Sequence, residues 1–394
     1  MNLLQVSPYI VEPPRTGGNH RSHGLVKEFP DLGSPVVRYC QGGSPDTYRN
    51  LDFRREVQIA EDYVEKRYLN PIHDISMLPV LFGYPNAFAG RSLALAPGCL
   101  DGLIEDADVV LVREPWQVPV VLDRSDVPVV YSSHNVESER FDRMNPRFYR
   151  FVKERVHEIE RLAVENSAAV VCTSERDAEM YRERFSPSQL FVAPNSTSQD
   201  NIRERKPQSE ITQSLRRAYG IPDSALVAMF VGSDYGPNIE AAKHVVQIAS
   251  EMEATEPPVH FLIVGTAGEA IDTELSNVTV TGFVDEFEGH FDLADVALNP
   301  MITGGGTNIK LFDYFARGLP VVSTPFGVRG IAVEDGQDVF ISDLDDFPRT
   351  IRRLRAEPEK RKQVGAAARE LTEAKYTWES VSRRLHSQLD ELIN

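Results

Sequence analysis

Residues 303–324, TGGGTNIKLFDYFARGLPVVST, gather residue types suited to holding a phosphate ester. Gly304, Gly305 and Gly306 allow the main chain to approach a ligand closely and to aim N–H groups at it. The apolar run 296–298 before them reads as a strand, and the pattern after them reads as a helix closing at Gly318. The positive end of such a helix suits phosphate. Ile309, Phe312 and Phe315 recur at core spacing, whereas Thr307, Lys310, Asp313 and Arg317 fall on another face. A hydroxyl, a cation and a carboxylate therefore stand beside the glycine turn. The same residues also fit a plain glycine turn before a surface helix with a Lys310–Asp313 ion pair.

Further candidates follow other apolar runs. Gly17, Gly18 and His20 lie in the loop after a strand at residues 3–6, where paired glycines leave room for a substrate. His20 and His23 have ligand-like spacing, but no Cys, His or carboxylate cluster completes a metal site, so both read as loop histidines. A strand at 127–132 ends in Ser133-His134-Asn135-Val136-Glu137, a polar cluster where open α/β sheets bind ligands. Here Ser133 or Asn135 could equally cap the following helix. Gly232, Ser233 and Asn238 follow a strand at 226–231, and Arg329 sits in a glycine-flanked turn. Arg329 is placed either to help bind phosphates or to pair with Glu334 or Asp335.

These segments need a large scaffold, and 394 residues favour two domains. Hydrophobic content of 41% with mixed charge is that of a globular protein, and a net charge of −17 argues against nucleic acid as the main partner. No apolar run approaches the roughly 20 residues of a membrane span, and no signal-peptide pattern follows Met1. The three scattered cysteines, Cys40, Cys99 and Cys172, fit a reducing cytoplasm.

Along the chain, short apolar runs at 36–39, 109–112 and 169–173 read as buried parallel strands. Residues 53–69 read as a charged amphipathic helix, 70–100 as irregular loops and 146–166 as a long helix. Basic and aromatic residues across 140–161 fit either a solvated helix face or contact with an anionic membrane, and the acids among them favour the solvated face. Residues 196–214 are polar without periodicity and read as a linker. Strands at 226–231, 260–264 and 278–283 then alternate with helices, as in a second doubly wound sheet. Residues 344–394 read as mostly helical.

The string 303–324 closely resembles the nucleotide-sugar segment of the group 1 glycosyltransferases (glycosyltransferase family 4), and the segments at 133–137, 194–195 and 232–238 are similar to others of that family. The resemblance implies the GT-B fold, two Rossmann-like α/β domains facing a central cleft. Its expected parts are an acceptor-side domain at 1–200, a donor domain at 207–372 and a helix at 373–394 crossing back. It also implies retaining transfer of a sugar from a nucleoside-diphosphate donor to a hydroxyl of a glycan, glycolipid or lipid-linked acceptor, with no cofactor and no metal. The expected location is cytoplasmic, with peripheral contact at the membrane face as an option. Donor contacts would come from Gly232, Ser233, Asn238, Gly304, Gly305, Gly306, Thr307, Lys310, Asp313 and Arg329, acceptor-side contacts from Gly17, Gly18 and His20, and catalytic roles from His134 and Lys310. Two departures stand out: Gly305 replaces the first of two family glutamates, with Asp313 at the second, and Ser233 and Asn238 stand where many members carry an arginine and a lysine. These leave two rivals open, another GT-B enzyme such as an epimerase or a phosphorylase, or a catalytically inert binding subunit.

Overall fold

The computed structural model describes residues 1–14, 16–43, 49, 55–78, 90, 92–94, 99–142 and 146–394. Most of residues 79–98, within the stretch expected to be irregular, lie outside the described residues. The described chain forms two units, residues 1–195 with 378–394, and residues 196–377.

The first unit is built on eight strands: β1 (Leu3–Ser7), β2 (Val36–Gln41), β3 (Glu56–Ala60), β4 (Tyr63–Tyr68), β5 (Val109–Arg113), β6 (Val129–Ser132), β7 (Ala169–Cys172) and β8 (Leu190–Val192). Their order is β3-β4-β2-β1-β5-β6-β7-β8, parallel except for the β3–β4 pair. Because β1 lies between β2 and β5, the order reverses there, and loops leaving β1 and β5 meet at a topological switch point. Trp378, Val381, Leu385 and Leu389 of the last helix, Trp378–Ile393, pack with Leu25, Phe29 and Leu111 on one face of this sheet. Gly24 fits beneath Trp378 because an added Cβ would meet that ring at 2.2 Å.

The second unit carries β9 (Leu226–Val231), β10 (Val259–Val264), β11 (Val278–Val280), β12 (Val296–Asn299), β13 (Val321–Ser323) and β14 (Phe340–Ile341). All pair in parallel, in the order β11-β10-β9-β12-β13-β14. Strands buried on both faces explain why they read as apolar runs. The switch point falls between β9 and β12, whose carboxyl ends lead into Gly232-Ser233 and toward Gly304.

Of the stretch 53–69 expected as a helix, the described residues 55–69 are not helical. They hold the antiparallel β3–β4 hairpin, with β4 also parallel to β2. The residues facing inward on β4 alternate as Tyr63, Glu65 and Arg67, two of them charged, so the period of two is hidden from a hydrophobicity reading. Burial is tolerated because Glu65 accepts from Arg38 at 3.1 Å, from Arg67 at 2.8 Å and from the N–H groups of Val11 and Glu12. Residues 196–214 are likewise no free linker. Arg203 pairs with Asp292, Arg205 donates to the Ala294 carbonyl, and Ser209 caps the helix Glu210–Ala218. The helix expected at 373–394 is two elements, the end of Pro358–Lys375 and then Trp378–Ile393.

Replacing Glu65 by Ala strands the two buried guanidinium groups. The expected loss is about 3–5 kcal/mol of stability in urea denaturation, and a loss below about 1 kcal/mol would contradict the buried network.

Candidate functional site

Lys310 opens the helix Lys310–Ala316. Its Nζ donates to Asn238 Oδ1 at 2.8 Å, lies 4.2 Å from the centre of the Phe230 ring and 4.0 Å from Met301 Sδ. Among the described residues no carboxylate lies within ion-pair distance of it. Burial pulls its pKa down to about 7. The Phe230 face supplies partial compensation for the ammonium, but a full countercharge is missing. The ion pair with Asp313 does not form. Asp313 instead accepts from Thr197 Oγ1 at 3.0 Å, and its carbonyl accepts from Arg317 at 3.1 Å.

Asn238 joins Lys310 to the loop after β9. It sits in the first turn of the helix Gly236–Glu251, and its Nδ2 donates to both Ser233 O and Ser233 Oγ at 3.2 Å. Gly232 is required here, since a Cβ would crowd Phe230, Ala267 and Asn238 at 2.9–3.1 Å. The glycine turn is fastened to the same helix, with the Thr303 hydroxyl donating to Glu240 and Gly304 lying against Pro237. Gly304 has φ 125°, outside the range open to other residues. Among the described residues no acceptor takes the N–H of Gly304, Gly305 or Gly306. Arg329 stacks on Phe326 at 3.7 Å and donates to its carbonyl, with Nη2 about as near Gly304 as a side chain there would allow.

Two details differ from the sequence reading. Thr307 is buried but precedes the helix, so it does not share a helical face with Lys310. The helix has seven residues and starts three positions beyond Thr307, so its dipole is displaced from the glycine turn. The positive field here comes from N–H groups and cations more than from a macrodipole.

In the first unit, Gly17 and Gly18 open the helix Gly17–Gly24, capped by Thr16, whose Oγ1 accepts from Asn19 N at 3.2 Å. His20 is exposed on that helix, while His23 stacks on Tyr63 and faces Glu12 at 3.5 Å. Gly18 lies beside His134 and Arg113, since a Cβ on it would be 3.5 Å from His134 Nδ1 and 2.4 Å from Arg113 Nη2. Arg113 Nε donates to His134 Nε2 at 3.2 Å. Burial, then the charges of Arg113 and Arg21, hold the His134 imidazole well below its usual pKa, so it is neutral. Neither Ser133 nor Asn135 caps the following helix. The Glu160 carboxylate does, accepting from Glu137 N at 2.6 Å and Ser138 N at 2.8 Å. Burial raises Glu137 to a pKa of about 7. Arg113, Phe230 and Met301 were not singled out from the sequence. An arginine closing the apolar run 109–112 was the available signal for the first.

Among the described residues no three His, Cys, Asp or Glu side chains converge as metal ligands, and no helix is long and apolar enough to cross a membrane.

Comparison with known proteins decides the family. The family described as "Glycosyltransferase Family 4" matches residues 16–200, and "Glycosyl transferases group 1" matches residues 225–357. The chain belongs to the group 1 (family 4) glycosyltransferases. Its fold is that of GT-B enzymes. Sucrose-phosphate synthase from Thermosynechococcus elongatus shares 15% identity at a TM-score of 0.71, over 99% of this chain and 98% of that one. HepE from Anabaena, solved with UDP, shares 13% at 0.72 over 99% and 100%. WaaG, a glycosyltransferase involved in lipopolysaccharide biosynthesis, shares 15% at 0.68 over 98% and 99%. No curated protein matches the sequence.

The depressed Lys310 pKa has a testable consequence in the unliganded glycosyltransferase. Between pH 7 and the ordinary lysine range the unfolded chain binds the extra proton, so this group's contribution makes stability rise with pH. Lys310→Met should therefore be stabilised relative to wild type most at pH 6–7 and least near pH 10, read from denaturation midpoints. A difference independent of pH would contradict a buried, uncompensated ammonium.

Proposed function

We propose that this glycosyltransferase moves a sugar from a nucleoside-diphosphate donor to a hydroxyl of a glycan, glycolipid or lipid-linked acceptor, retaining the anomeric configuration. The observation that carries this is Lys310, a buried ammonium without a carboxylate partner among the described residues, tied through Asn238 to the Ser233 loop at the switch point of its sheet.

The chemistry follows from where charge develops. Breaking the anomeric C–O bond leaves an oxocarbenium-like sugar and places negative charge on the departing diphosphate. Lys310, Arg329 and the N–H groups of Gly304–Gly306 supply a prearranged positive field for that charge. A bound diphosphate would also raise the Lys310 pKa from about 7 and complete its protonation, so binding and protonation reinforce each other. These groups take the role that a metal ion fills in other diphosphate sites. Asp313, with one carboxylate oxygen held by Thr197, is suited to accept from ribose hydroxyls, and Thr307 and Gly232 complete the donor side. The acceptor side is assigned to the first unit, to Gly17, Gly18 and His20, with His134 in a catalytic role beside them. The acceptor proton passes to the departing phosphate oxygen, since neutral His134 with Nε2 occupied is no base. The UDP complex of HepE makes uridine the first base to try. A cytoplasmic location, with peripheral contact at the membrane for a lipid-linked acceptor, accords with this chemistry.

The test is thermal stability with UDP, GDP, ADP, CMP or dTDP, each with EDTA, in wild type and Lys310→Ala. One diphosphate at 100 times its dissociation constant should stabilise wild type by about 2.7 kcal/mol and the variant far less. Folded protein that responds to none of them would overturn the donor assignment.

A further inference from the structure

We propose that Arg113 is a positioning residue that locks His134 in the Nδ1–H tautomer, so that His134 acts as a neutral hydrogen-bond donor beside Gly18. The inference rests on the assignment of His134 to the acceptor side, and it deepens that assignment by giving the histidine a defined chemical role.

A guanidinium only donates. Arg113 Nε stands 3.2 Å from His134 Nε2, so that nitrogen must present its lone pair, and the one proton of the neutral ring resides on Nδ1. Nδ1 is the atom next to Gly18, where a Cβ would be 3.5 Å away. The N–H therefore lies beside the paired glycines assigned to the acceptor, and His134 as a residue is half-buried while Arg113 is only 1% exposed. Arg113 thus reaches a substrate through His134 and not directly.

The guanidinium has little freedom to leave this position. It lies 4.1 Å over the Tyr9 ring, and its Nη1 donates to Asn19 Oδ1 at 3.3 Å. Tyr9 is itself held by a 2.8 Å bond from its hydroxyl to Glu114, a residue at φ 63° directly after Arg113. A non-glycine residue at that φ persists only where its surroundings enforce it. The remaining nitrogen, Nη2, is buried without a hydrogen-bond partner and lies under Gly18, where a Cβ would meet it at 2.4 Å. Arg21, the other charge facing His134, spends its guanidinium on the carbonyls of Ala193 and Cys172 and on Asn195. With two cations facing it, the imidazole has no electrostatic reason to take a second proton.

The test combines spectroscopy with kinetics on the full chain. With 15N-labelled histidine, two-bond 1H–15N spectra distinguish a protonated from an unprotonated ring nitrogen, and His134→Gln identifies the signal. Wild type should show a protonated Nδ1 and an unprotonated Nε2 at pH 7, and Arg113→Met should lose that pattern. A protonated Nε2 in wild type, or an unchanged pattern in Arg113→Met, would overturn the proposal. In transfer assays each single variant should lower kcat about 10- to 100-fold with little change in donor KM, and the double variant should be no worse than His134→Gln alone. Multiplying losses would show that Arg113 acts independently of His134, against the proposal. If the spectra hold but neither variant changes the rate of transfer, the tautomer lock stands and the acceptor-side reading fails.

Discussion

The structure of the second unit turns on one unbalanced charge. Lys310 has been taken out of water onto the face of Phe230 and given an amide oxygen, not a carboxylate, as its partner. A buried ammonium in that setting costs stability, and a chain carrying 59 acidic residues could have neutralised it easily. The cost is explained if the missing countercharge arrives with a ligand. The neighbouring features fit that view, because Gly232 and Gly304 bring main chain close, Asn238 fixes the direction of the ammonium, and Arg329 adds a second cation.

The two units apply one architectural rule to different chemistry. In each sheet the strand order reverses, between β1 and β5 in one and between β9 and β12 in the other, and the loops leaving those strands, with those after β6 and β13, hold the candidate residues. In the second unit this yields a buried lysine with no carboxylate beside it among the described residues. In the first it yields a neutral imidazole held by an arginine that is itself held by Tyr9 and Asn19. The departures from the family pattern are accommodated locally. Asn238 bonds to Ser233 through its Nδ2 and to Lys310 through its Oδ1, so the positive charge of this site is concentrated on Lys310 and Arg329.

Much of this was legible in the sequence, and the exceptions have physical causes. Apolar runs such as 226–231 and 296–299 read as strands because both faces of a parallel sheet are covered. The glycine turn and Lys310 stood out because their residue types serve few other purposes together. Residues 53–69 misled because β4 buries Glu65 and Arg67, which pair with each other, and Glu65 also takes Arg38, a residue distant in sequence. The helix beginning at Lys310 could not be delimited by pattern, since Thr307 and Asn308 continue the same periodicity although they precede the helix. Arg113 went unnoticed for a related reason: its importance lies in what it touches, and none of Tyr9, Asn19 or His134 is near it in the chain. Likewise the cap supplied by Glu160 to Ser138 crosses 22 positions and leaves no local signature.

The central claim is that Lys310 recognises the diphosphate and nothing else in the donor. The most direct measurement is the dissociation constant of the preferred nucleoside diphosphate and of its parent nucleoside, for wild type and Lys310→Met. A charge-assisted bond predicts that the variant binds the diphosphate about 10- to 100-fold more weakly while its affinity for the nucleoside is unchanged. Equal weakening of both ligands, or no weakening of the diphosphate, would contradict it.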